Sequence, residues 1–191
     1  AHGSGNIFLR ATAGSLTVNA DVASTSGNLT LRAAQTLHLA ADLVTAGTGT
    51  IDLEANLITA TLTADITAAD GDIRLASATN IVLGGVITTN TNVSLIATTG
   101  SITDLDADDS VDVIANGLRL VAGTNIGTAA NHLETTVATL SARATSSGLF
   151  VTETDALTIG SVAVSVNRVN EQADTAVVAD AAQSDLRTTA G

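Results

Sequence analysis

One short block returns along this chain at a fixed distance, and that repeat limits the fold more than any other feature. The block is Gly, a polar residue, an aliphatic, a variable residue and a second aliphatic. It stands as Gly5-Asn6-Ile7-Phe8-Leu9, Gly27-Asn28-Leu29-Thr30-Leu31, Gly49-Thr50-Ile51-Asp52-Leu53 and Gly71-Asp72-Ile73-Arg74-Leu75. The first aliphatics of these four blocks are 22 residues apart each time. The series continues less strictly through Val93, Leu118, Leu140, Val164 and Leu186. A second series interleaves at Leu16, Leu37, Thr59, Ile81, Ile102, Ile126 and Leu149, with Thr59 its weakest member beside Leu57 and Ile58. A third runs through Val22, Val44, Ile66, Ile87, Val111, Leu133 and Leu157.

Within a block, aliphatics at i and i+2 have the period of a β-strand. Leu9, Leu31, Leu53, Leu75, Leu95 and Leu120 make a second inward ladder in the first series; Ser24, Ala46, Ala68 and Thr89 fill that place in the third. Gly, Asn, Asp and Ser separate the blocks, where the chain must turn. Three short strands per coil of about 22 residues, over about eight coils, predict an all-β fold: a single-stranded, right-handed parallel β-helix, a three-faced solenoid roughly 40 Å long. A β-sandwich would lack a ladder of like residues at a fixed period. Leucine-rich repeats would need an Asn ladder and a helical segment, which are missing. The expected organisation is a β-helix core over 1–166. The tail 167–191 is either a last coil or a hairpin excursion continuous with the core, since Val162, Val164, Val166 and Val169 precede a polar turn.

Composition agrees with such a coil. The 191 residues include no Pro, which would remove an N–H from a ladder of central strands. There is no Cys, hence no disulfide scaffold, thiol catalysis or zinc–thiolate site. Lys is absent, so the basic residues are seven Arg, and the net charge of −12 argues against nucleic acid as a partner. No apolar run is long enough to span a membrane. No charged-then-apolar signal segment is recognisable, so a targeting peptide is expected to be removed or to lie elsewhere.

The densest charge cluster is Asp104, Asp106, Asp108, Asp109 and Asp112, where the step from Ile102 to Val111 is stretched to nine residues. It reads as an outward acidic loop. Alternating carboxylates can gather oxygens around a cation, so these five residues are the candidate Ca²⁺ ligands. The spacing is not that of an EF-hand, and a solvated acidic turn is the plainer alternative. Asp104 to Asp112 with Arg119 could suggest a lyase, on fold analogy alone; no catalytic site or cofactor-binding site is assigned, and the chain is expected not to be an enzyme. Asp52 and Arg74 occupy one outward position a coil apart, the place for a cross-coil ion pair. His38 stands outward in the second series. Thr45, Thr67 and Thr88 line up outward as a short Thr ladder.

The Gly-Asn-Ile/Leu-x-Leu blocks resemble those of filamentous-haemagglutinin-type large bacterial exoproteins. The stretch Asn125-Ile126-Gly127-Thr128-Ala129-Ala130-Asn131-His132-Leu133-Glu134-Thr135, with Val137 and Leu140, is similar to one that recurs in them, with His132 where that family usually has Pro. Asp155-Ala156-Leu157-Thr158-Ile159-Gly160-Ser161-Val162 is similar too. The resemblance implies a right-handed β-helix and a secreted or cell-surface location. It also implies a structural or adhesive role, as a rigid spacer in a tandem array. Expected partners are neighbouring copies end to end, with host or bacterial surface molecules or glycans as further ones. A β-helical carbohydrate-binding or carbohydrate-active module is the alternative function, and ice binding on the Thr ladder a weaker one.

Overall fold

Aliphatic residues at a fixed period can all be buried only if successive coils stack in register, and they do. In the computed structural model, which describes residues 3–106 and 109–189, the chain is a parallel β-solenoid of about seven coils. No helix occurs among the described residues. On the first face, Ile7, Leu29, Ile51, Ile73, Val93, Leu118 and Leu140 pair from coil to coil. The ladder Leu9, Leu31, Leu53, Leu75, Leu95 and Leu120 stands beside it and continues through Ala142 to Leu186. Leu53 and Ile73 are fully buried, and each such side chain is worth about 1.5–3 kcal/mol by burial.

The polar residue of the block has its own stack. Asn6 Oδ1 accepts the Asn28 amide at 2.9 Å, Asn28 Oδ1 the Thr50 amide at 3.0 Å, and Asp72 Oδ1 the Asn92 amide at 3.1 Å. The glycine before it is required by close approach. A Cβ on Gly71 would lie 1.9 Å from the carbonyl oxygen of Gly49, and one on Gly27 2.1 Å from that of Gly5.

Two of the interleaved series need correction. On the second face the ladder member is Ile58, between Leu37 and Ile81, while Thr59 points outward and meets His38 at 2.8 Å. On the third face the ladder is Val22, Leu43, Ile66, Ile87, Val113, Thr135. Val44 and Val111 are not in it, and Leu133 pairs instead with Val151. The reason is the corner that opens this face: Asp21, Asp42, Asp65, Asp112 and Glu134 hold it, and the residue after each acid turns inward. The inward partner of Ser24 is therefore Thr45 and not Ala46. Thr45 is fully buried and donates to the Gly27 carbonyl at 2.8 Å, so the outward Thr row shrinks to Thr67 and Thr88.

In the later coils, strands Val113–Ala122 and Leu133–Ala144 run through the corner between third and first faces without a break. After Thr158–Ile159, where Ile159 pairs with Leu140, the chain leaves the coil. Val162–Val169 and Thr175–Gln183 form an antiparallel hairpin, and Leu186–Thr188 returns to pair with Ala142–Ala144. Val164 thus lies off the ladder that its spacing suggested, which leaves about seven coils where eight were counted. The boundary at 166/167 falls inside the first strand of the hairpin.

That hairpin lies along the first face. Val162, Val164, Val166 and Val169 are at most 3% exposed. The amides of Ser165, Asn167 and Val169 donate to Asp72 Oδ2, Thr50 Oγ1 and Thr30 Oγ1, each at 2.8 Å. Two hairpin residues advance about 6.6 Å while a coil advances about 4.8 Å, so the strand must cross the coils obliquely. Thr30, Asp52 and Ser94, outward by period, are fully buried beneath it.

Candidate metal centre

The corner between second and third faces is a column of acids. Asp21 Oδ1 accepts the amide of Asp42 at 3.3 Å, Asp42 Oδ1 that of Asp65 at 2.9 Å, and Asp65 Oδ1 that of Val86 at 2.9 Å. Asp112 Oδ2 accepts the Glu134 amide at 2.9 Å. Each carboxylate thus satisfies a backbone donor that the turn would otherwise strand.

At its last two members, Asp112 and Glu134, this column meets an acid from the core. Asp104 ends the strand Ile102–Asp104 and pairs with Leu83, at the inward position that Leu39 and Ala60 fill in earlier coils. One carboxylate oxygen from each of Asp104, Asp112 and Glu134 lies within 4.8 Å of the others. The three residues are 9%, 6% and 7% exposed. Asp104 Oδ1 accepts the Asp106 amide at 3.2 Å. Asp104 Oδ2 and Glu134 Oε2 are buried without a hydrogen-bond partner among the described residues. A cleft lined by Asp109, Asn131, His132, Glu134 and Thr152 opens beside them.

Burial and the neighbouring charges of Asp104 and Glu134 push the Asp112 carboxyl up to about 8, against the pull of the Glu134 amide. Burial, with Asp104 and Asp109, also raises Glu134, while His132 opposes the shift. Three carboxylates this close cannot all carry charge unaided. Such a set takes up a proton or a cation, and an all-oxygen donor set suits a hard divalent ion.

Of the five expected ligands, Asp104 and Asp112 come together in this cluster. Asp106 is half-buried and reaches Asp104 through its amide; Asp109 is exposed beside Glu134; Asp108 lies outside the described residues. Arg119 is held elsewhere, under the hairpin, where it donates to the Ala181 carbonyl and to Ser94 Oγ. Glu134 was not among the expected residues. Its signal was the 22-residue step from Asp112 along the acidic corner. His132 is tied to Thr152 Oγ1 at 2.7 Å and stacks on Phe150.

A second acidic cluster lies under the hairpin. Asp52 is fully buried, with Oδ1 at 3.1 Å from Arg74 Nη1 and Oδ2 at 2.5 Å from Arg168 Nε. Arg168 also meets Glu54 at 2.6 Å, Arg32 meets Glu54 at 2.6 Å, and Arg74 meets Asp180 at 3.1 Å. Burial alone would raise Glu54, but Arg32 and Arg168 bring its carboxyl below the usual range. This cluster is neutralised from within and fastens the hairpin to the coils.

Comparison with protein-family models, with curated proteins and with solved structures finds no match to this chain.

Proposed function

We propose that this chain is a non-catalytic structural module of a secreted or surface-attached bacterial adhesin of the filamentous-haemagglutinin type, a rigid spacer in a tandem array. The observation that carries the reading is the unbroken register of the core ladders across the coils, strapped lengthwise by the hairpin. A stack in which every coil bonds to the next resists bending, and a strap that crosses several coils resists their sliding apart. The end coils support contact with further copies. Leu157, Ile159 and Leu186 in the last coil are 36%, 46% and 43% exposed, and the strands there pair on one side only. Open strand edges favour pairing with a neighbour, and head-to-tail contact of this kind propagates without closing. Six of the seven arginines contact partners within the chain, which leaves few basic groups to grip an acidic sugar.

Light scattering over a concentration series, with electron microscopy, tests the stacking. Short linear stacks are expected, lengthening with concentration and suppressed by Ile159→Asp with Leu186→Asp. A particle that stays monomeric to millimolar concentration would contradict it.

A further inference from the structure

We propose that Asp104, Asp112 and Glu134 form a Ca²⁺-binding site that ties the second face, at Asp104, to the acidic corner, at Asp112 and Glu134. The inference goes beyond the spacer role and does not depend on it. Its first support is position. A β-solenoid core is filled by aliphatics, yet Asp104 stands where Leu39, Ala60 and Leu83 stand in the coils before. An unpaired carboxylate in such a place costs far more than a polar surface group, and natural cores keep one only when something compensates it. The second support is orphaned oxygens. Among the described residues Asp104 Oδ2 and Glu134 Oε2 are buried without a hydrogen-bond partner, in residues more than nine-tenths buried, while Asp112 has spent Oδ2 on the Glu134 amide.

The third support is the contrast with the corner that precedes it. Asp21, Asp42 and Asp65 each stack without a second acid from the core, and a backbone amide suffices for each. Among the described residues, three carboxylates converge only where Asp104 joins. Among the described residues no Arg pairs with them: the arginines that meet acids meet Asp52, Glu54, Glu171, Asp180 and Asp185. The donor set also selects the ion. Carboxylate oxygens with no thiolate favour a hard cation, and Ca²⁺ tolerates an irregular shell completed by carbonyls and water, where Mg²⁺ demands a near-octahedral one. The carbonyls of Asp104 and Asp106 are drawn together close by, since both accept from Asn131 Nδ2.

The test is calorimetric titration of the chelator-stripped chain with CaCl₂ and with MgCl₂, alongside thermal unfolding. One saturable Ca²⁺ event per chain is expected, with a dissociation constant on the order of 10⁻⁵–10⁻³ M. At a hundredfold excess of free Ca²⁺ the melting temperature should rise by roughly 5–10 °C. Asp112→Asn and Glu134→Gln should each weaken the event at least about tenfold, and Asp104→Leu should abolish it. All three relieve repulsion and should stay folded by circular dichroism, while Asp174→Asn, on the exposed hairpin turn, should bind as the parent does. Absence of heat and shift at about 10 mM Ca²⁺ would overturn the proposal and leave a proton-sharing carboxyl cluster. So would a response that persists in the three variants or is matched by Mg²⁺, since either would mean diffuse attraction to an acidic surface.

Discussion

The two buried acidic clusters are made of the same chemistry and solve it in opposite ways. Under the hairpin, Asp52 is fully buried between Arg74 and Arg168, and Glu54 sits between Arg32 and Arg168. At the corner, Asp104, Asp112 and Glu134 converge with no guanidinium among them. The consequence is written in the carboxyls: Glu54 is pulled below its usual range, and Asp112 is pushed up to about 8. The first cluster is complete within the chain and acts as a fastener. The second is complete only with a proton or an added cation, and so can respond to the solution. A chain with seven arginines, most of them facing the hairpin and the tail, has concentrated its positive charge at one seam.

The largest expected break in this comparison is Asp52→Ala. It removes the buried acid that Arg74 and Arg168 share, leaving them Asp180 and Glu54 alone, and removing one partner of a buried ion pair costs about 3–5 kcal/mol. Equilibrium denaturation should show that loss, and Arg168 with Asp52 together replaced by apolar residues should recover much of it.

Next comes pH, where the two clusters should pull in opposite directions. Asp112 binds its proton in the folded chain up to about 8 but releases it near 3.8 when unfolded. In chelator its contribution therefore favours the fold below about 4 and is lost as pH rises from there to about 8. Glu54 behaves the other way: its contribution is present above its unfolded value of 4.5 and is lost as pH falls through the lowered folded value. Chelated protein should be most stable near pH 4–5 and lose on the order of a few kcal/mol by pH 8, by denaturant midpoint. Glu134, raised by burial and by Asp104 and Asp109, shares the direction of this response; the charged groups that face Asp112 are Asp104 and Glu134.

Asp104→Leu sharpens the contrast by restoring the aliphatic ladder. In chelator at neutral pH it should stabilise by about 1–3 kcal/mol, because an uncompensated acid is replaced by an apolar group. The smallest effect belongs to Arg10→Ala. The Arg10–Glu171 pair joins the hairpin turn to the first coil, with side chains 41% and 61% exposed. Exposed pairs of this kind contribute at most about 1 kcal/mol.

The first face was readable because its signal is redundant: a glycine that only close backbone approach explains, a polar residue that stacks, and two aliphatics all repeat together. The third face departs from its spacing by one residue at Val44, by two at Val111 and Leu133, and by one at Ala46, because aliphatic period alone does not fix which residue after the corner turns inward. The stronger mark was the acid before it, at Asp21, Asp42, Asp65, Asp112 and Glu134. Read as a column, those acids would also have pointed to Glu134. Asp104 was legible as part of an acidic run but not as an inward residue, because an aspartate in a ladder position contradicts the burial rule on which the pattern rests. The hairpin could not be placed on its face by period at all. Its valines alternate as a strand of the solenoid would, and only the outward polar row Thr30, Asp52 and Thr50, Asp72, which its strand and amides cover, distinguishes that face from a solvated one.

Amide hydrogen exchange with and without Ca²⁺ tests the difference between the two clusters most directly. The amides of Leu105, Asp112 and Glu134 bond at the corner, and those of Ser165, Asn167 and Val169 bond at the seam. Chelation should speed exchange of the first three by about tenfold or more and leave the last three unchanged, since local opening follows the local free energy. Equal exchange at the corner in both conditions, or an equal change at corner and seam, would contradict the account.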